Sequence, residues 1–324
     1  MLPYEKVRRE RLVKTAAESD PRFGCRPEER PAAQLLDYGI VNIDKPEGPT
    51  SHQVADYAKR IIGAKKAGHS GTLDPGVTGV LPVAMGRATR IVQLLLTAGK
   101  EYVAVMHVHD AVPEQQLRAT LRRFEGRIEQ LPPVRSAVKR ALRVRSVYHL
   151  EVLEIAERDV LFTASVEAGT YIRKLIHDIG RELRCGAHMA DLRRTRAGPF
   201  TEESLVTLQD FADAVHYFRD GNDKMLLRCM QPVERAVEHL PKVWVLDAAV
   251  ETLCHGSDLF LPGISAFHSG IVAGDTVALM TLKEELIGYG TARCTSGEMV
   301  APHGLAVKSE KIFMLPGTYP KATA

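Results

Sequence analysis

Apolar positions along the chain follow two periods, and the switches between them mark out the elements. Alternation and a short apolar run predict a strand at residues 38–44, stopped by the Lys45-Pro46 step and the turn that follows it. Thr50 or Ser51 can then cap a helix that carries Val54, Tyr57, Ala58, Ile61 and Ile62 on one face. A glycine-rich loop fills 68–79, and a short buried helix is expected at 91–96, ending near Gly99. Residues 102–109 alternate as a strand should, while Leu117, Leu121 and Phe124 repeat at helical spacing. Residues 148–155 and 160–166 read as a strand pair joined near Glu157-Arg158-Asp159. Ile172, Leu175, Ile176, Ile179 and Leu183 define a helical face that Thr170 can cap, and two further helices are expected at 205–218 and 224–237.

The pattern changes at Leu240-Pro241. Beyond it, short apolar runs are broken by glycines at 256, 263, 270, 274, 288, 290, 297 and 304, the spacing of a small β-barrel-like module. A domain boundary is therefore placed there. Before residue 31 the chain is charge-dense and holds few large aliphatics after Val13, so this tail either packs on another element or stays mobile.

Composition narrows the class without naming it. A chain of 324 residues, 45% hydrophobic and 26% charged, fits two domains of ordinary globular type. The net charge of +3 permits a nucleic-acid partner without demanding one, because local clustering decides that question. Clusters exist: Arg135, Lys139, Arg140, Arg143 and Arg145 form one run free of acidic residues, and Arg193, Arg194 and Arg196 form another. Such runs are commonly solvated faces. The five cysteines are scattered, with no CxxC pair, which suggests reduced thiols rather than a zinc ribbon or a disulfide framework. Cys254-His255 lacks further ligands at zinc spacing. No apolar run is long enough to span a bilayer, and the opening MLPYEKVRRERLVK has no secretion-signal core, so a cytoplasmic protein is expected.

The loop GHSGTLDPGVTG at 68–79 is the segment best suited to chemistry. Its glycines allow close backbone approach, Pro75 stiffens the residue after Asp74, and a carboxylate on such a loop can serve as base or nucleophile. It lacks the Lys-Ser/Thr of a phosphate-cradling loop. By spacing alone, a structural turn is the commoner role for such a Gly-Asp-Pro loop.

Taken with NIDKPEGPTSH at 42–52, GKEYV at 99–103, PPVRSAVK at 132–139, GTYIR at 169–173 and LRRTR at 192–196, this loop resembles, in order, the motifs of the TruB/dyskerin pseudouridine synthases. The form GHSGTLDP, the stretch SAVKRALRVRSVY from Ser136 and the C-terminal module are similar to the archaeal and eukaryotic guide-RNA-dependent branch. The resemblance implies an α+β catalytic domain with a mixed, largely antiparallel sheet at 38–240 and a PUA β-barrel at 241–324. It also implies an N-terminal extension at 1–37 that packs on the PUA domain. The implied activity is isomerisation of uridine to pseudouridine, in rRNA guided by H/ACA RNA and also in the TΨC loop of tRNA without a guide. No cofactor is implied. The implied partners are guide RNA, rRNA and tRNA, with H/ACA accessory proteins of the GAR type, the small NOP type and the kink-turn-binding ribosomal L7 type, and no membrane. The PUA module would grip an RNA end or stem near residues 256–263.

By position, the resemblance makes Asp74 the catalytic aspartate, Arg173 its cationic partner and Tyr102 the residue that stacks on the target uracil and relays a proton. Leu192 packs on the base, His69 enters the space left by the flipped nucleotide, and Lys45 supports the loop. Arg143 and Arg145 beside the thumb-like loop, with Arg193 and Arg194, contact RNA. One departure is visible, since the family commonly has lysine where this chain has Gly76. Two other classes stay in view: a non-catalytic RNA-binding scaffold, which would need none of Asp74, Tyr102 and Arg173, and a small-molecule enzyme, which leaves the basic runs unexplained.

Overall fold

The computed structural model describes residues 1–132 and 141–321. Its contacts divide the chain into two units: Met1–Lys6, Val41–Ala84 and Ile91–Cys229 form the first, and Val7–Ile40, Met85–Arg90 and Met230–Ala324 the second.

The first unit is α+β. Its strands run in the spatial order Gly39–Lys45, Thr78–Met85, Ala187–Ala197, Lys100–Val108, Asp159–Val166, Arg143–Ala156, Gly126–Gln130. Lys100–Val108 pairs antiparallel with both of its neighbours, whereas Thr78–Met85 meets Ala187–Ala197 in parallel. The sheet is therefore mixed and largely antiparallel, as expected. Helix Ile172–Glu182 packs its Ile172, Leu175, Ile176 and Ile179 face into a core with Ala104, Met106, Phe162 and Ala164 from the sheet.

Several boundaries differ from the pattern-based expectations for identifiable reasons. Thr50, not Ser51, caps helix Ser51–Ile62, in a reciprocal box with Gln53. Thr170 does not cap the next long helix: its hydroxyl donates to Glu167 O, and Tyr171 is the boundary residue, held on both backbone sides by the Gln130 amide. The helix expected at 224–237 stops at Cys229, and Met230–Pro232 is extended, because proline disfavours the helical conformation in the residue before it. Strands Thr78–Met85 and Ala187–Ala197 were not anticipated. The first is a nearly continuous buried run containing a proline, and the second is studded with charge.

In the second unit, a seven-stranded sheet runs Arg11–Val13, Ile264–His268, Lys242–Val245, Thr276–Met280, Leu286–Ala292, Leu305–Ile312, Leu259–Phe260. Its core gathers Val243, Val245, Ile264, Phe267, Leu279 and Ile287. The charge-dense tail is ordered here: Arg11–Val13 adds an edge strand to Ile264–His268, and Arg30 makes a buried two-pronged contact with Glu234 at 2.7 and 2.8 Å.

Candidate active site

The glycine-rich loop is fixed from below by buried groups, while its carboxylate stays accessible. Ser51, the first residue of its helix, accepts from Leu73 N at 2.7 Å and so anchors the residue before Asp74. Val77 N returns to Asp74 O at 3.0 Å, closing a turn around the carboxylate. Lys45 is fully buried, and its ammonium donates to Pro46 O (2.9 Å), Pro75 O (3.1 Å) and Val77 O (2.7 Å). Burial, then the nearby Arg194 guanidinium, push its pKa down, against the opposing pull of Asp74 and Glu47. Leu73 and Val77, on either side of Asp74, are core residues.

Above this base, Arg173 donates to Asp74 Oδ2 at 2.6 Å, with both side chains more than half exposed. The helix spacing explains the arrangement: Ile172 enters the core, so the next residue projects outward, toward the loop. A carboxylate bonded to a guanidinium in this way is held in a fixed orientation by a charge-assisted hydrogen bond. The structure joins Arg173 to Asp74 across 99 positions of chain.

Tyr102 and Leu192 lie on neighbouring strands whose register sets Tyr102 opposite Arg194 and Ala104 opposite Leu192. Directly opposite residues, and residues two apart, share one face of a sheet. Leu192 belongs to the core cluster that holds Leu73 and Val77, and Tyr102 packs partly buried against it. The same face thus offers an apolar surface and a phenol beside the loop. His69 sits on strand Ala67–His69 with its ring edge-on to His52, centroids 4.6 Å apart, and its Nδ1 accepts from Gly71 N at 3.3 Å. Burial, with His52 and Arg194 adding positive charge, pushes its pKa down to about 4, so the ring is neutral near pH 7.

The basic residues behave differently from one another. Arg135, Lys139 and Arg140 lie outside the described residues. Arg145 pairs with Glu167 at 3.2 Å, and Arg143 opens the same strand. Arg193 is bound by Asp44 at 3.0 Å and Glu202 at 2.6 Å. Arg194 requires a correction: expected to contact RNA, it is 1% exposed and donates inward, to Val80 O at 2.7 Å and more weakly to Gly71 O at 3.3 and 3.4 Å. Its strand position points it to the core face that Tyr102 shares, so no surface is left to it. Sequence reasoning also missed Ser51 and Gln130 as supports; a serine at a helix start was the one available signal.

With this geometry in place, the comparisons with known proteins decide the family. Residues 59–172 match the N-terminal domain of the TruB family pseudouridylate synthases, and residues 173–238 match the C-terminal domain of tRNA pseudouridylate synthase B. A PUA domain matches at 241–313 and a DKCLD domain at 2–55. The chain is 56% identical to a probable tRNA pseudouridine synthase B of Thermococcus kodakarensis, covering 99% of this chain and 96% of that one. This chain belongs to the TruB family of pseudouridylate synthases. A relative of the same name from Methanopyrus kandleri is 51% identical over 99% of this chain and 95% of its own. Among solved structures, a Cbf5-Nop10-Gar1 complex matches at 54% identity with a TM-score of 0.94, covering 99% of this chain and 98% of that one. An H/ACA RNP bound to a substrate RNA containing 2′-deoxyuridine matches at 52% identity and a TM-score of 0.93, over the full length of both chains. The family boundary at 172/173 falls between Asp74 and Arg173, so the ion pair joins the two matched segments.

Proposed function

We propose that this chain isomerises uridine to pseudouridine in RNA, as the catalytic subunit of an H/ACA-guided particle acting on rRNA, and that it also modifies the TΨC-loop uridine of tRNA without a guide. The observation that carries this reading is the Asp74–Arg173 pair at 2.6 Å, exposed on a loop whose supports are all buried. It is backed by the end-to-end similarity to a chain solved with substrate RNA. The partners proposed are guide RNA, rRNA and tRNA, together with proteins of the Nop10 and Gar1 kind, which accompany a similar chain in its solved complex. A kink-turn-binding protein of the ribosomal L7 type is proposed to join them.

Within the site, Asp74 acts at the sugar carbon as the N–C bond to uracil breaks, either by attack or by stabilising positive charge. Arg173 orients it. Tyr102 stacks on the base and takes part in removing its carbon-bound proton, Leu192 packs on the ring, and neutral His69 fills the place of the extruded nucleotide. Extrusion costs a few kcal/mol, offset by contacts to the flanking strand. Arg143, Arg145 and Arg193 supply phosphate contacts, and residues 241–324 grip RNA outside the site. Among the described residues no helix is long and apolar enough to cross a membrane, and we assign the protein to the cytoplasm.

The test is incubation of the protein with uridine-labelled tRNA and an rRNA fragment, with and without matching guide RNA and accessory proteins. Pseudouridine in tRNA without a guide, and in rRNA only with one, is the expected result. RNA binding without any pseudouridine would favour a scaffold.

A further inference from the structure

Arg194 is an anomaly that the proposed chemistry above leaves unused. Its guanidinium is buried, and among the described residues it has no ion-pair partner; its acceptors are the carbonyls of Val80 and Gly71. Removing such a charge from water costs several kcal/mol even after relaxation, and the core around it would accept leucine or methionine. Lys45 and Lys100 lie in the same buried region, each bonded to backbone carbonyls, so the charge of Arg194 is further opposed rather than neutralised. Its position is also rigid. Gly79 pairs with it in register at φ +100°, and a Cβ there would fall 2.2 Å from Arg194 O. A residue so costly and so firmly placed calls for a chemical reason.

We propose that Arg194 is a positioning residue for Tyr102, joining the phenol to the Asp74 loop and stabilising the negative charge its oxygen carries until it takes up the departing proton. The inference rests on the pseudouridine synthase reading. Three observations carry it. Tyr102 and Arg194 are directly opposite on adjacent strands and share a face. Burial pulls the Arg194 pKa down, and the Tyr102 side chain is the group that opposes that fall. Its two terminal nitrogens donate to Gly71 O, three residues before Asp74, so the strand facing Tyr102 and the carboxylate loop are referenced to one group.

The step concerned follows formation of the new carbon–carbon bond. The uracil carbon then bears both the ribose and a hydrogen. That C–H bond breaks, its electron pair forms the ring C=C bond, and the adjacent C=N pair becomes an N–H bond using a proton from solvent. The departing proton goes to the Tyr102 oxygen, which has released its own proton to solvent. A fixed cation in a water-poor site favours that transient phenolate without reorganising.

The experiment uses the full chain at saturating RNA in single turnover, with uridine carrying hydrogen or deuterium at the reacting ring carbon. Arg194→Met, Arg194→Lys, Tyr102→Phe and the corresponding double variants are compared. Arg194→Met is expected to slow pseudouridine formation about 100-fold in the presence of Tyr102. In the Tyr102→Phe background the same change should cost no more than about twofold. The deuterium effect should grow in Arg194→Met and remain near wild type in Arg194→Lys, which keeps the charge. If Arg194→Met does not fold, Arg194→Lys in the two backgrounds carries the test: its loss must shrink when the phenol is absent. Losses that multiply, or an isotope effect unmoved by Arg194→Met, would overturn the inference and leave a simple loop brace. Absence of pseudouridine with the wild-type chain would instead overturn the functional reading on which it stands.

Discussion

Replacing Lys45 with methionine separates support of the site from its chemistry. Methionine fills nearly the same volume, so no large cavity term enters. What is lost is the ammonium and its three bonds. Pro75 O keeps a second donor, Gly48 N at 2.9 Å, and Pro46 is exposed enough for water to replace its partner. Val77 O is the group left stranded, since its bond to Lys45 is buried. An unsatisfied buried carbonyl costs about 1–3 kcal/mol. Against this, the variant no longer buries a charge, so the expected net loss lies toward the lower half of that range. Function should respond more strongly than stability. Residues 75–77 would lose their common anchor, and a shift of about 1 Å at a catalytic group can cost on the order of 100-fold in rate. The assay is a denaturant titration, read at constant slope, beside single-turnover pseudouridine formation at saturating RNA. A lowered midpoint with a sharply reduced rate and nearly unchanged RNA affinity is expected. An unchanged midpoint together with an unchanged saturating rate would refute the reasoning.

Four further outcomes are expected. Asp74→Asn keeps the size of the side chain but removes its charge and nucleophilicity; pseudouridine formation should vanish while RNA affinity changes by no more than a few-fold, and measurable turnover would remove Asp74 from its role. Arg173→Met should lower the single-turnover rate severely with little effect on thermal stability, because both members of the pair are largely exposed. Gly76 has open space around it and no positive φ, so Gly76→Lys should fold normally and steepen the salt dependence of RNA binding by about one unit of slope. Burial, with Lys242, Arg9 and Arg11 adding charge, pushes the His268 pKa down to about 4 from 6.5. The unfolded chain therefore binds the extra proton between those values, and stability present above pH 6.5 is lost as pH falls toward 4; His268→Gln should flatten that slope in pH-dependent denaturation.

Much of the site was legible because its residues sit where local pattern is strong. The loop glycines, the Asp74-Pro75 step and the helix behind Arg173 are all statements about short stretches of chain. What was not legible is pairing between distant strands. Ala187–Ala197 reads LRRTR in its second half, and neither alternation nor propensity tells that one of its arginines faces inward. The sequence pattern treats Arg193, Arg194 and Arg196 as one basic cluster. In the structure Arg193 is held by Asp44 and Glu202, Arg194 is buried against Gly71 and Val80, and Arg196 pairs with Glu101 and Glu5. Apart from Glu202, nine residues on, each partner lies far off in sequence or on another strand. The bland reading of a charge run as a solvated face therefore fails here, and so does the expectation that Arg194 contacts RNA.

The same comparison explains how charge is distributed around the loop. Asp74, proposed to act at the sugar, and its partner Arg173 are exposed, where a carboxylate–guanidinium pair contributes little to folding. Lys45, Lys100 and Arg194, which meet only backbone carbonyls or Tyr102, are buried, where each is costly to maintain. If folding stability alone had shaped the site, the exposed pair would be expendable and the buried cations would be apolar. The opposite arrangement follows when the loop must hold its form as an RNA strand displaces water from Asp74 and Arg173. The supports then have to be complete before substrate arrives, since any bond left to be formed on binding would be subtracted from the energy that extrudes the base. Burial of carbonyl-bonded cations does this: their bonds are already made, and water cannot compete for them.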